Sequence, residues 1–399
     1  TMANNNDKKV LNVPALRFPE FSGEWKSKFI NDLASVVSGG TPDTSVKSFW
    51  DGNIQWFTPS EIGKNKYVDS SLRTITEEGL NNSSAKLLPP HTILLSSRAT
   101  VGECSLSLKE CATNQGFQSL IAQSCDTNFL YYLIQTKKKD LIRKACGSTF
   151  LEISANEVRK IQVKIPYDNE QKKIADFLSL IDERIFTQNK IIEKYESLIQ
   201  AISQKVLRPS EYWNEYRLCE LADIRSGYSG NQVSHKTAYA VSRIETISKH
   251  RIDMLRVGYV QDIPSEYKLN VGDILFSNIN SIQYIGNTAF VDKEYNLYHG
   301  MNLLRIIPKP SLVIPRFLHL ILCTSMAIKH FQSICNKAVS QASINQTSLG
   351  KIMLHIPPLT CQEQICNVFE SVEQRLNLEV YYLKRIQLQK NYLLRQMFI

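Results

Sequence analysis

The chain has 399 residues, 43% hydrophobic and 21% charged, the composition of an ordinary globular protein with room for two or three domains. Its net charge of +9, from 47 basic and 38 acidic residues, is compatible with a polyanion partner without requiring one. No apolar run approaches the ~18 residues of a membrane span, no apolar h-region appears in residues 1–9, and the 9 scattered cysteines form no C-x-x-C pair, so free thiols of a cytoplasmic protein are expected.

Residues 1–13 read as a disordered tail. A first globule, 14–168, opens with Gly23-Glu24-Trp25-Lys26 and runs through Leu33-Ala34-Ser35-Val36-Val37-Ser38-Gly39 into the turn Gly39-Gly40-Thr41-Pro42. Ile93–Leu95 is an apolar strand ending in a polar loop, and 128–144 is a helical stretch. From Ile174 onward the pattern changes. Ile174, Leu178, Ile181, Ile185, Gln188, Ile192, Tyr195, Ile199, Ile202 and Val206 follow one another in steps of four and three. That is a coiled-coil seam held for more than four heptads, closed by Pro209, in a spacer helix placed at 169–209. So narrow an apolar stripe needs a partner helix.

The partner lies 191 residues on. Ile365, Phe369, Val372, Leu376, Glu379, Leu383, Ile386, Lys390, Leu393 and Met397 repeat the seam in a second helix, 361–399, and the polar step recurs as Gln188 and Glu379. The globules repeat too. Asn214-Glu215-Tyr216-Arg217 answers the first opening, Leu221 to Gly227 answers Leu33 to Gly39, and Ile274–Phe276 answers Ile93–Leu95. From Ile153/Ile344 the copies align without a gap, through Pro166/Pro357 and Gln171/Gln362. The second globule therefore spans 210–360, with strands expected at 257–261 and 303–307 and a helical stretch over 315–335. Each globule reads as α+β with a curved, mainly antiparallel sheet. Two copies of one unit associate about a two-fold axis, so the helices are expected to pair antiparallel as a rod of roughly 50 Å, with Glu379 meeting Gln188 or a basic neighbour near the middle.

Catalytic signatures are missing. There is no P-loop, no G-x-G-x-x-G after a strand and no Gly-x-Ser-x-Gly elbow. The 7 histidines never fall in H-x-x-x-H or H-E-x-x-H spacing, so no metal ligands are named. Leu88-Pro89-Pro90-His91 and Ile356-Pro357-Pro358-Leu359 lack the Asn or Asp and the aromatic that an amino-methylating motif needs. No catalytic residue is assigned.

The loops between strands are rich instead in groups that read base edges: Arg suits guanine, Asn and Gln suit adenine, and Ser and Thr tolerate several edges. In the first copy these are Thr41, Ser97, Arg98, Thr100, Asn114, Gln115, Ser148 and Thr149, with Lys64, Lys66, Lys137, Lys138 and Lys139 as phosphate neutralisers. In the second they are Asn231, Ser277, Asn278, Asn280, Gln283, Tyr284, Asn302, Ser340 and Gln341. Frames match while loops differ, as two related modules reading different sequences would.

With these motifs in order, the chain resembles the specificity (S) subunit of Type I restriction–modification enzymes. The resemblance rests on Val13 to Phe21, Ser38-Gly39-Gly40-Thr41-Pro42, Ser97-Arg98-Ala99-Thr100-Val101-Gly102, Asn114-Gln115-Gly116-Phe117 and Gly147-Ser148-Thr149. It also rests on Ile165-Pro166 with Glu170 to Leu178, and on Ile356-Pro357-Pro358 with Gln362 to Ile365. The second half departs at Ser229-Gly230-Asn231-Gln232 and over Asn278 to Gly286. The resemblance implies two mixed α/β target recognition domains joined by two long antiparallel coiled-coil helices, a pseudo-two-fold internal repeat. It implies a non-catalytic subunit that binds a bipartite, asymmetric site in double-stranded DNA. Two adenine-methylating modification (M) subunits would dock on it, and two restriction (R) subunits would join through them. S-adenosylmethionine, ATP and Mg would sit on those partners, leaving this chain without a cofactor. Its alternatives are the specificity component of another methylation-based phage defence system, and a fused DNA methyltransferase or nuclease.

Overall fold

The computed structural model describes residues 12–147, 151–337 and 341–399. The chain divides into two compact units. One comprises the residues up to Ile191 together with Glu379–Ile399, and the other is Ile192–Leu378. Two helices of 39 residues, Asp168–Val206 and Leu359–Met397, each contribute one end to each unit. The first stops three residues before Pro209. Every seam position from Ile174 to Val206 and from Ile365 to Met397 is buried or half-buried, Ile192, Tyr195, Val372, Leu376 and Leu383 included, while most intervening positions are exposed.

In the first unit the paired helical ends run antiparallel. Gln188 meets Glu379, Asp182 pairs with Lys390 at 2.6 Å, and the early turns bearing Ile174 and Leu178 share a core with Leu393 and Met397 near the end of the other helix. The expected polar contact at the seam is therefore Gln188 itself. Its amide donates to the Glu379 carbonyl at 3.1 Å and carboxylate at 2.5 Å. In the second unit Ile199, Ile202 and Val206 pack on the core holding Ile365 and Phe369.

The globular part of the first unit carries a five-stranded sheet in the order Ala34–Ser38, Gln118–Ala122, Ile93–Leu95, Cys104–Ser107, Tyr67–Val68. A three-stranded sheet is built on Trp50–Phe57. The second has a six-stranded sheet that begins Ala222–Ser226, Leu304–Pro308, Ile274–Phe276, and a four-stranded sheet around Gly258–Val260. Several small sheets thus replace the single curved sheet expected, and parallel pairs join the antiparallel ones.

The repeated sequence fragments fold into repeated devices. Lys26–Phe29 pairs with Gln162–Ile165, and Asn214–Arg217 with Met353–Ile356, in the same antiparallel register. A short helix follows each opening strand. Its first free amide is met by the third helical residue's carboxylate, Asp32 at 2.8 Å in one and Glu220 at 2.6 Å in the other. At the start of each long helix a buried glutamine bridges two elements. Gln171 donates to the Pro166 carbonyl at 2.9 Å and accepts from the Asp126 amide at 3.1 Å. Gln362 donates to Pro357 at 2.8 Å and accepts from Ile314 at 2.8 Å. These bonds weld each stalk to the helix that follows the sheet.

Two expectations are corrected, and one contact was not expected. The helical stretch over 128–144 is two helices, Thr127–Thr136 and Lys138–Lys144, and that over 315–335 is Pro315–Leu322 and Ser325–Ile334. The latter break is a capping event, since Thr324 accepts from the Ala327 amide at 3.2 Å. Of the expected tail, residues up to 11 lie outside the described residues. Asn12 is held, its carbonyl by the Trp25 amide at 2.8 Å and its side chain by Lys164 at 2.5 Å. Finally, Leu394 and Phe398 lie off the seam yet are buried in the first unit's core, Phe398 5.3 Å from the Phe129 ring and 6.3 Å from Trp25. All 9 cysteines are free thiols.

Candidate nucleic-acid interface

In the first unit three loops that leave neighbouring strands press together. Gly40 N–H donates to the Thr113 carbonyl at 2.8 Å, and Ser97 N–H to the Gly116 carbonyl at 2.8 Å. Thr41 Oγ1 hydrogen-bonds to Gln115 Oε1, and Asn114 accepts from the Gly116 amide at 2.8 Å. Glycine is required where the backbones touch, because a Cβ on Gly39 would stand 2.0 Å from the Asn114 carbonyl oxygen. The Trp56 indole donates to the Gly40 carbonyl at 2.9 Å, Trp50 packs edge-on to Trp56, and the Arg73 guanidinium lies 3.5 Å from the Trp50 ring.

The second unit uses the same contact. Tyr228 N–H donates to the His299 carbonyl at 3.0 Å, and a Cβ on Gly227 would lie 1.8 Å from the Gly300 carbonyl oxygen. The Ser-Gly step that ends each opening repeat is therefore a close backbone crossing in both copies. His299 is buried, its Nε2 3.0 Å from the Leu303 carbonyl, and burial pulls its pKa down to about 4, so it is a neutral strut of this loop.

The expected reading groups sort into two sets. Gln115 and Thr100 are exposed, and Thr41, Asn114 and Arg98 are half-exposed. Arg98 pairs with Glu152 at 2.7 Å, which orients its guanidinium at the surface. Asn231, Gln283, Tyr284, Asn302 and Gln341 are exposed in the second unit. Ser97, Ser277, Asn278 and Asn280 turn inward instead. Ser97 and Ser277 are buried, the amide of Asn280 donates to Ser277 Oγ at 3.1 Å, and Asn278 is tied to Ile344 through its backbone at 2.9 Å. The two asparagines serve backbone groups, Asn278 donating its amide to the Ile344 carbonyl at 3.4 Å and Asn280 accepting from the Ser281 amide at 2.8 Å, whereas Ser97 Oγ is buried without a hydrogen-bond partner among the described residues. Ser148, Thr149 and Ser340 lie outside the described residues.

The lysines divide likewise. Lys64 and Lys139 are exposed. Lys66 is not a surface cation: it donates to Ser179 on the long helix at 2.7 Å, with the rings of Tyr67 and Tyr132 each 5.0 Å away. It lines a cavity of about 680 Å³ together with Asp182 and Lys390, and burial lowers its pKa to about 8. Lys137 is spent on the Ile399 carbonyl at 2.9 Å, and Lys138 pairs with Glu103. Arg73, exposed and stacked on Trp50, is a cation that loop composition did not flag, because it lies within a strand.

Among the described residues no helix is long and apolar enough to cross a membrane. The family model for the Type I restriction modification DNA specificity domain matches twice, over residues 22–197 and 210–387. The Type I restriction enzyme MjaIX specificity subunit of Methanocaldococcus jannaschii is 36% identical over 179 residues, 43% of this chain and 41% of that protein. The chain thus spans less than half the length of that relative. The MjaVIII specificity subunit of the same organism is 21% identical over 390 residues, 91% of this chain and 89% of that one. The crystal structure of a Type I restriction-modification system S subunit from M. genitalium covers 97% of this chain and 99% of its own at 16% identity, with a TM-score of 0.58, a likeness of fold. Two tandem copies of one frame and two tandem matches agree: the chain belongs to the Type I restriction modification DNA specificity family.

Proposed function

We propose that this chain is the DNA-reading, non-catalytic subunit of a Type I restriction–modification complex in the cytoplasm. Each unit reads one half of a bipartite, asymmetric site on double-stranded DNA. The helix pair carries M subunits that methylate adenine, and R subunits join through them; S-adenosylmethionine, ATP and Mg belong to those partners. The observation that carries the reading is the repeated glycine crossing. Gly39 and Gly227 hold equivalent loop pairs in equivalent frames, while the exposed groups around them differ, with Thr41, Arg98, Thr100 and Gln115 in one and Asn231, Gln283, Tyr284 and Asn302 in the other. One scaffold with two unlike faces is what two different half-sites demand.

The test is to express the chain with its M partner and map methylated adenines in host DNA. A motif of two fixed halves around an unread gap is expected. Arg98→Ala is expected to lower methylation of the site about tenfold or more, the scale of one lost guanine contact, and to relax the sequence preference of the first half alone. Absence of methylation, or a changed sequence preference in the second half of the Arg98→Ala motif, refutes the reading.

A further inference from the structure

The second unit holds a cluster that nothing in DNA reading uses. His319 lies on the helix Pro315–Leu322, and Cys323 ends that helix four residues later. Residues four apart share a helix face. A third side chain comes from the hairpin that joins Ile247–Ser248 to Arg251–Ile252. That hairpin turns through Lys249 and His250, with φ of +48° and +61°. Two left-handed residues in a two-residue turn favour Asn-Gly, and residues with longer side chains are strained there. The strained turn delivers an imidazole. His250 Nδ1 is 3.4 Å from Cys323 Sγ, His319 Nε2 is 3.4 Å from the same sulfur, and all three atoms lie within 4.8 Å of one another.

We propose that His250, His319 and Cys323 bind Zn(II) or another late first-row divalent ion, clasping the hairpin turn to the end of the helix. A tetrahedral zinc with bonds of about 2.3 Å to sulfur and about 2.0–2.1 Å to nitrogen separates those ligand atoms by roughly 3.5 Å. The sulfur-to-nitrogen distances already match. One thiolate and two imidazoles suit a borderline-soft ion and not Mg or Ca.

The neighbours set the proton balance. Arg316 Nη1 is 2.9 Å from His319 Nδ1, which places the ring proton on Nε2, facing the sulfur. On loading, the proton on Nε2 must move to Nδ1, which displaces the Arg316 N–H from that nitrogen; Nε2 then takes the ion, and the Cys323 thiol releases one proton to solvent. Arg316 is already held by Glu373 at 2.5 and 2.6 Å, so its charge is offset. The hydroxyl of Thr288, 3.2 Å from Cys323 Sγ, supports the thiolate.

The test uses the full chain, reduced and stripped of metal, titrated with Co(II). A thiolate-to-cobalt charge-transfer band that saturates at one ion per chain and is bleached by Zn(II) is expected. Cys323→Ser should abolish it. His250→Asn keeps a residue that tolerates the left-handed turn, and should weaken Co(II) binding beyond the roughly 10–100-fold that loss of an outer-sphere partner costs. No band in the unaltered chain, a band that survives Cys323→Ser, or unchanged affinity in His250→Asn overturns the proposal.

Discussion

Replacing Gln188 by leucine tests how the stalks are held in register. Gln188 donates to both the carbonyl and the carboxylate of Glu379, at 3.1 and 2.5 Å, and Glu379 is only 4% exposed. Water cannot restore what the amide supplied. Hydrogen bonds to a charged group contribute about 1.5–3 kcal/mol, so Gln188→Leu should destabilise this segment by that amount. Replacing both residues by leucine removes this polar step from the seam, and the loss is expected to be smaller than in the single variant because no carboxylate is left facing a leucine. The assay is hydrogen exchange of the helical amides around 188 and 379, which reports local opening where a chain of two units has no single unfolding free energy. Exchange should quicken roughly 10- to 150-fold in the single variant and be slower in the double than in the single. A single variant that exchanges no faster, or a double variant that equals the sum of the two singles, refutes the coupling.

Other consequences follow from the same structure. Burial lowers Lys66 from its ordinary 10.5 to about 8, Asp182 opposing the shift. Between those values the unfolded chain holds a proton that the folded chain has lost. Stability therefore rises with pH across that window, and the penalty is fully present below it. Lys66→Met should remove this rise in a pH series of thermal unfolding; an unaltered profile would show that the ammonium is solvated. Gly39→Ala drives a Cβ to 2.0 Å from the Asn114 carbonyl. It should cost about 1–3 kcal/mol locally and abolish methylation through one half-site, and a variant that reads both halves normally contradicts the crossing. Under the proposed function, a matched heptad added to both stalks near Gln188 and Glu379 should widen the unread gap by about three base pairs, since seven residues add roughly 10 Å. Methylation mapping that returned the old gap would separate stalk length from spacing.

The periodic parts of this fold were legible in the sequence. A heptad seam states its buried face residue by residue, and Ile174 to Val206 and Ile365 to Met397 are buried or half-buried throughout. A repeat of 191 residues leads to the expectation of antiparallel stalks, and the helical ends paired in the first unit run that way. Gln171 and Gln362, noticed only as a match, turned out to make the same pair of bonds. Reading residues were harder. Ser97, Ser277, Asn278 and Asn280 have the composition of base-reading groups, but composition does not say whether a hydroxyl or amide serves the loop or faces out.

Tertiary structure alone decided what meets across long sequence separations. The sequence by itself determined a duplicated globule-and-stalk plan and the expectation of antiparallel stalks, because period and repeat are read directly from residue spacing, while the crossings at Gly39 and Gly227 emerged only in the fold. It could not determine that Phe398 packs against Phe129, that Lys66 lies among tyrosines, or that His250 reaches Cys323. Those contacts depend on where a folded surface places side chains that share no pattern, and only packing sets that.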